Sequence, residues 1–354
     1  MTVQRLFCYH FVKLTFEGSF CEKGELNKLE SIISSVPFAV VLLILGFVFL
    51  VKGADLFVEG SSSIAKRLKV PSIIIGLTIV AMGTSLPETA VSVTAAIEGS
   101  NSLAVSNVVG SNIFNLMVVI GFCALMTPVA VEKETLKRDF PFSVFCALLL
   151  LGLGYWGMSL GRIDCAIFVV LFIIFIYTMV RTALNARKNG NTVVSEEEAE
   201  AEKTAILPVW KCILFILIGI AGIAIGGNWV VDGATVVATA AGMSETLVGL
   251  TIVSIGTSLP ELVTSVVAAR KKEVGMALGN AIGSNIFNIL FVLGVAGVIS
   301  PMAFIMENVI DIIILVVFSA IVWIMAWTKE RLSRVEGGIM IALYAVFMVY
   351  ICVR

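Results

Sequence analysis

The sequence predicts an all-α integral membrane protein of ten transmembrane helices in two inverted five-helix repeats. Three observations carry this. Apolar residues greatly outnumber charged ones, ten apolar stretches are long enough to cross a bilayer, and one thirteen-residue segment occurs almost unchanged twice. Of 354 residues, 59% are hydrophobic and 14% charged. Soluble domains carry about 25% charged residues, and a soluble fold could not hide this much apolar surface. A span needs about 20 residues at about 1.5 Å rise each.

In chain order the stretches are Val36–Val58, Ile73–Ile97, Leu103–Met126, Pro141–Leu160, Ile163–Val180, Pro208–Val231, Thr246–Ala269, Met276–Ile299, Val309–Thr328 and Gly337–Val353. The first 35 residues are interrupted by Lys13, Glu17 and Lys23, so no secretory signal peptide is expected and the first span can target the chain. The long polar break holds the acidic run Glu196, Glu197, Glu198, Glu200 and Glu202, which reads as a solvated linker. The expected division is an extracellular segment 1–35, a first repeat 36–180, a cytoplasmic acidic linker 181–207 and a second repeat 208–354.

Composition also narrows the chemistry. Net charge is −1, which points to no nucleic-acid partner. The seven cysteines form no CxxC pair, and the single histidine, His10, precedes the first span. A zinc site or a histidine-based triad is therefore not expected, and neither is an enzyme, since no histidine lies in a span and the polar groups of the spans are of cation-ligand type.

Loop charge sets orientation. The loops after the odd-numbered spans hold 17 Lys and Arg residues, with Lys211 counted in the fifth, against two (Arg162 and Arg354) on the other side. Positive charge stays cytoplasmic, so both termini should face out. The N-terminal segment carries four (Arg5, Lys13, Lys23 and Lys28), which weakens the asymmetry without reversing it. Cys8 and Cys21 would share the oxidising exterior, where a disulfide is allowed.

The repeat is the strongest signal. Residues 76–88 read GLTIVAMGTSLPE and residues 249–261 read GLTIVSIGTSLPE, matching at eleven of thirteen positions with an offset of 173. The same offset carries GSNIFN at 110–115 onto 283–288 and aligns GADLFVEG (53–60) with GGNWVVDG (226–233). Five spans per half is an odd number, so the second half would enter the bilayer from the opposite side, the plan of many secondary transporters.

The duplicated motifs carry the polar chemistry. Glu88 and Glu261 fall inside spans, where a charged group costs at least about 2.5–3.5 kcal/mol unless it faces a cavity and meets a cation. Pro87 and Pro260 break the helix beside them and free carbonyl oxygens. Thr84 and Thr257 stand four residues before the glutamates, and Ser85 and Ser258 three before, all on the carboxylate face. Asn107, Ser111 and Asn115, then Asn280, Ser284 and Asn288, form polar stripes at i, i+4, i+8. Asn107, Asn280 and the off-stripe Asn112 and Asn285 read equally well as interhelical hydrogen-bonding residues. All these donors are hard oxygens, suited to calcium, magnesium or sodium rather than zinc or copper, and the flexible mixture suits calcium best.

The paired GTSLPE and GSNIFN motifs resemble the α-repeats of the calcium/cation antiporter superfamily, on its sodium/calcium exchanger branch, across about residues 36–353. The resemblance implies a multi-pass cell-membrane antiporter whose partners are calcium ions, sodium ions and the lipid bilayer, with no cofactor. It implies metal ligands at Glu88, Glu261, Thr84, Ser85, Thr257, Ser258, Ser111, Ser284 and Asn115, with sodium-binding carbonyls at Ala81 and Ser254. It also implies that helices 1 and 6 slide across the other eight. Several relatives and the potassium-dependent branch end the second motif with aspartate; here Asn288 stands, which leaves two carboxylates and disfavours potassium co-transport. A proton/calcium antiporter is the alternative, then a passive cation channel, although channels usually gather symmetric subunits around one pore.

A cysteine at position 190 tests the orientation. With Gly190→Cys, a membrane-impermeant thiol reagent is expected to label the linker only after permeabilisation. Labelling in intact cells would overturn the topology and the inverted repeat with it.

Overall fold

Helices account for most of the chain, as they must where hydrocarbon offers backbone groups no partner. A computed structural model describes residues 35–99, 101–189, 206–243, 252 and 254–353. Segment 1–34 with Cys8 and Cys21, and the acidic run of the linker, lie outside the described residues.

The first half begins with α1 (Val36–Leu68), followed by a broken rod: α2 (Ser72–Ile75), a π-helical turn at Gly76–Val80, α3 (Ala81–Thr84) and α4 (Leu86–Ile97). Next come α5 (Asn101–Phe114), a π turn at Asn115–Val119, α6 (Ile120–Met126), a π turn at Thr135–Asp139, α7 (Phe140–Tyr155) and α8 (Arg162–Asn189). The second half holds α9 (Val209–Ala240), α10 (Ser254–Thr257), α11 (Leu259–Arg270), α12 (Val274–Phe287), a π turn at Asn288–Leu293, α13 (Gly294–Ile299), α14 (Met306–Lys329) and α15 (Arg334–Val353). Among the described residues, seven helical stretches are long and apolar enough to cross a membrane, or eight if the rod Ser72–Ile97, bent by 49°, counts as one span. Helix α7 has only 16 residues, so by length it falls short of a span unless the preceding π turn is added.

Several helices outrun their apolar stretches. α1 continues past Val58 to Leu68, α9 past Val231 to Ala240, and α8 past Val180 to Asn189. For α1 the reason is burial against protein: Gly60, Ser61, Ser62, Ser63 and Ala65 are all buried, so this end of the helix packs without needing hydrophobicity.

The most extensive helix contact joins α1 and α9. It is antiparallel and made backbone to backbone on glycines seven residues apart. A Cβ at Gly46 would stand 2.9 Å from Gly226 O; at Gly53, 2.9 Å from Gly219 O; at Gly60, 2.8 Å from Cys212 O. Small residues let helices approach this closely where water supplies no hydrophobic drive. The broken rods pack onto this pair through Gly83, whose Cβ would meet Phe57, and Gly256, whose Cβ would meet Val231.

Two features are shared by the halves. Left-handed residues fall at Lys69 and Gly242 and at Gly99 and Lys272, each pair at the sequence offset, and at Gly157, Met158 and Glu330. At the first two pairs the backbone turns alike in both halves, even where a side chain makes the left-handed region costly. Two-residue strand clips join the loops of the halves: β1 (Val129–Ala130) pairs with β4 (Arg331–Leu332), and β2 (Ser159–Leu160) with β3 (Met302–Ala303). These clips are not legible in the sequence, since two residues are too few for a periodic pattern.

Charge breaks this likeness. Lys271 Nζ lies 2.7 Å from Asp55 Oδ1 and 3.7 Å from Glu59 Oε2, and Lys66 Nζ lies 3.6 Å from Glu273 Oε1, which also accepts from Ser62. These tie α1 to the α11–α12 turn. At the offset, Lys271 becomes Glu98 and Asp55 becomes Asn228.

The glycine contact is tested by Gly53→Ala. Overpacking a close helix pair costs about 2 kcal/mol, and the detergent-solubilised protein is expected to melt roughly 5 °C lower. Gly152→Ala, where a Cβ meets nothing within 4 Å, is the control and should not lower the melting temperature. Equal behaviour of the two would refute the close-packing account.

Candidate cation site

Each GTSLPE motif folds into a break. Pro87 has no N–H to offer Gly83 and Pro260 none to offer Gly256, so the rods cannot continue as one helix. Ser85 (φ −84°, ψ 15°) and Ser258 (φ −95°, ψ 3°) leave helical geometry, and α4 and α11 begin anew. Glu88 and Glu261 therefore lie in the first turns of new helices. Unpaired N–H groups and the helix dipole favour an acidic side chain there.

The two carboxyls are cross-served by the other half. Ser85 Oγ donates to Glu261 Oε1 at 2.8 Å, and Ser258 Oγ donates to Glu88 Oε1 at 3.2 Å. Ser111 Oγ lies 3.3 Å from Glu88 Oε1 and 2.9 Å from Ser258 Oγ. Thr84 Oγ donates to Asn280 Oδ1 at 3.0 Å and lies 3.2 Å from Val80 O. A charge-assisted hydrogen bond of this kind is worth about 1.5–3 kcal/mol, less than the cost of an uncompensated buried charge.

Thr84, Ser85, Glu88, Ser111, Asn115, Ser258, Glu261, Ser284 and Asn288 are fully buried, and Thr257 is 8% exposed. Asn115 and Asn288 open their π turns. The turn at 115 packs against α11, which carries Glu261, and the turn at 288 against α4, which carries Glu88. Such turns concentrate at functional sites. Ala81 is buried, and its carbonyl accepts from Ser85 N–H at 3.1 Å and lies 3.3 Å from Thr84 Oγ1. Ser254 opens α10, and its side chain lies outside the described residues.

Glu88 Oε2, Glu261 Oε2, Asn115 Oδ1, Ser284 Oγ and Asn288 Oδ1 are buried without a hydrogen-bond partner among the described residues. Buried polar atoms are nearly always paired, so a group of orphaned oxygens points to a ligand. All are hard donors and two belong to acids, which fits a calcium or sodium ion. Among the described residues no three Asp, Glu, His or Cys side chains gather, so the charge is that of two carboxyls.

Of the residues with equal readings, Asn107 donates to Ser92 Oγ at 3.1 Å and Asn280 to Ser265 Oγ at 2.9 Å, equivalent bonds at the same offset. Asn112 and Asn285 bond across the helix crossing. Ser92, Ser265 and the orphaned Thr264 were missed; the serines could have been found, since both copies keep serine there.

Similarity to known proteins follows the same motifs. The profile of the family described as sodium/calcium exchanger protein matches residues 38–181 and 211–353. The chain is 44% identical over 266 residues to CaxA of Alkalimonas amylolytica, covering 74% of this chain and 81% of that one. It is 34% identical over 342 residues to sodium/calcium exchanger MaX1 of Methanosarcina acetivorans, covering 87% and 97%. Its structure is similar to that of the sodium-calcium exchanger NCX_Mj, with a TM-score of 0.76 and 31% identity over 89% of this chain and 99% of that one.

Glu88→Gln and Glu261→Gln keep shape and remove one charge each. Calcium affinity of the purified protein is expected to fall at least about tenfold in each variant, a loss of about 1.4 kcal/mol, and transport to be abolished while membrane insertion is kept. Calorimetric titration showing wild-type affinity in either would remove these residues from the site.

Proposed function

Because this chain belongs to the sodium/calcium exchanger family, a family of membrane transporters rather than enzymes, we propose that it exchanges sodium for calcium by alternating access at a site between its two halves. The observation that carries the reading is the set of orphaned buried oxygens on Glu88, Glu261, Asn115, Ser284 and Asn288. Thr84, Ser85, Thr257, Ser258 and Ser111 complete the side-chain ligands, with carbonyls from Ala81 and Ser254 for sodium.

The architecture we propose is ten spans in two inverted repeats, 36–180 and 208–354, with both termini outside and the linker 181–207 in the cytoplasm. The antiparallel glycine contact of α1 with α9 and the two strand clips support it, since a two-fold axis in the membrane plane would relate each to itself or its partner.

Charge counting gives the energetics. With both glutamates ionised the empty site carries −2, which is costly in a low-dielectric interior and should cross poorly. One calcium ion neutralises it, as do two sodium ions. A third sodium brings it to +1, which hydroxyl, amide and carbonyl oxygens can solvate. Three-for-one exchange moves one net positive charge per cycle, worth about 2.3 kcal/mol per 100 mV.

The test is sodium-driven calcium flux in proteoliposomes, with potential clamped by an ionophore other than valinomycin and potassium present or absent. Flux is expected to follow voltage and to ignore potassium. Voltage-independent flux, or a need for potassium, would show the two-carboxyl count to be wrong.

A further inference from the structure

We propose that Asn112 is a positioning residue that sets which end of the Asn288 amide faces the cation. The proposal rests on the exchange reading above and deepens it.

The residue sits where α5 crosses α12. Asn112 Nδ2 donates to Asn285 O at 3.1 Å, and Asn285 Nδ2 donates to Asn112 O at 3.1 Å. The two are 173 positions apart, the repeat offset, so the pair is its own image under the exchange of halves. Each spends its amide nitrogen on the other helix's backbone. That fixes the plane and sense of the Asn112 amide, and its Oδ1 is left as an oriented acceptor.

Asn288 Nδ2 fills that acceptor at 3.2 Å and also lies 3.3 Å from Ser111 Oγ. The amide nitrogen of Asn288 is thereby engaged on the protein side. Its Oδ1 is the atom left buried without a protein partner. Turning the amide over would set Oδ1 against Asn112 Oδ1, two acceptors with no proton between them. Asn112 therefore presents Asn288 to the cation oxygen first.

The other half lacks this arrangement. Among the described residues Asn115 Nδ2 and Oδ1 and Asn285 Oδ1 have no hydrogen-bond partner, so no hydrogen bond there selects the sense of the Asn115 amide. An aspartate at 288 would have two equivalent oxygens and no N–H for Asn112 to receive. Only an amide there needs orienting, and this chain carries the amide.

A double-substitution cycle reads the effect, using calcium titration of the purified full chain and half-saturating calcium for sodium-driven uptake. Asn112→Ala is expected to raise both the calcium Kd and half-saturation about tenfold, the cost of about one lost orienting hydrogen bond, with a smaller change in maximal rate. Asn285→Ala breaks a matching helix-to-helix bond without touching Asn288 and should shift affinity less than about twofold. In an Asn288→Asp background, Asn112→Ala should also shift affinity less than about twofold, because a carboxylate needs no orienting. Equal losses in Asn112→Ala and Asn285→Ala, or an undiminished loss in the Asn288→Asp background, would show a purely structural clasp and overturn the proposal alone. Should Asn112→Ala not fold, Asn112→Asp decides: it keeps an acceptor for Asn288 Nδ2, so affinity at wild-type level or tighter supports the proposal and a tenfold loss refutes it. A wild-type chain that binds no calcium would instead sink the antiport reading itself.

Discussion

Two acidic side chains buried in a membrane protein, with hydroxyls rather than basic side chains as their hydrogen-bond donors, set the problem that the rest of this structure solves. An ion's desolvation penalty is several kcal/mol even after relaxation. Glu88 and Glu261 meet it in three layers. Prolines start a new helix at each, so the carboxyl sits beside free N–H groups. Serines from the opposite half then donate to one oxygen of each. The second oxygen of each stays unmatched, and that shortfall is what a cation relieves. A fully satisfied site, or one with a fixed basic partner, would leave no unmatched negative charge for a cation.

Much of this was legible in the sequence because it is written locally. The spans follow apolar length, the breaks follow Pro87 and Pro260, and the hydroxyl and amide stripes follow helical spacing. The duplicated motif gave the pairing of Glu88 with Glu261 before any contact was known. What was not legible depends on neighbours far apart in the chain. Nothing local says that Ser85 serves Glu261 rather than Glu88, or that Asn112 faces Asn288; both depend on how two helices cross. The π turns at Asn115 and Asn288 were invisible because one extra residue in a turn leaves an apolar pattern unchanged. Helix ends beyond Val58 and Val231 were missed because an apolar count stops where polar residues start, while packing against protein continues.

The halves share backbone more strictly than charge. Two of their left-handed turns coincide, and there Lys69 and Lys272 adopt conformations that suit the glycines of the other copy. Yet the ion pair of Lys271 with Asp55 has no image, because Glu98 and Asn228 stand at the equivalent positions.

The glycine seam carries a consequence of a different kind. Gly46, Gly53 and Gly60 of α1 meet the backbone of α9 at Gly226, Gly219 and Cys212, and Gly233 of α9 meets Ala39 of α1. Shifted by the offset, this list of contacts returns itself. It is an isologous interface, the kind that a two-fold homodimer makes from one surface used twice. A single five-helix ancestor would have made the same seam with a second copy of itself, every glycine serving two contacts. Within one chain the seam keeps this geometry while each position is free to differ from its image, as Lys271 and Glu98 do.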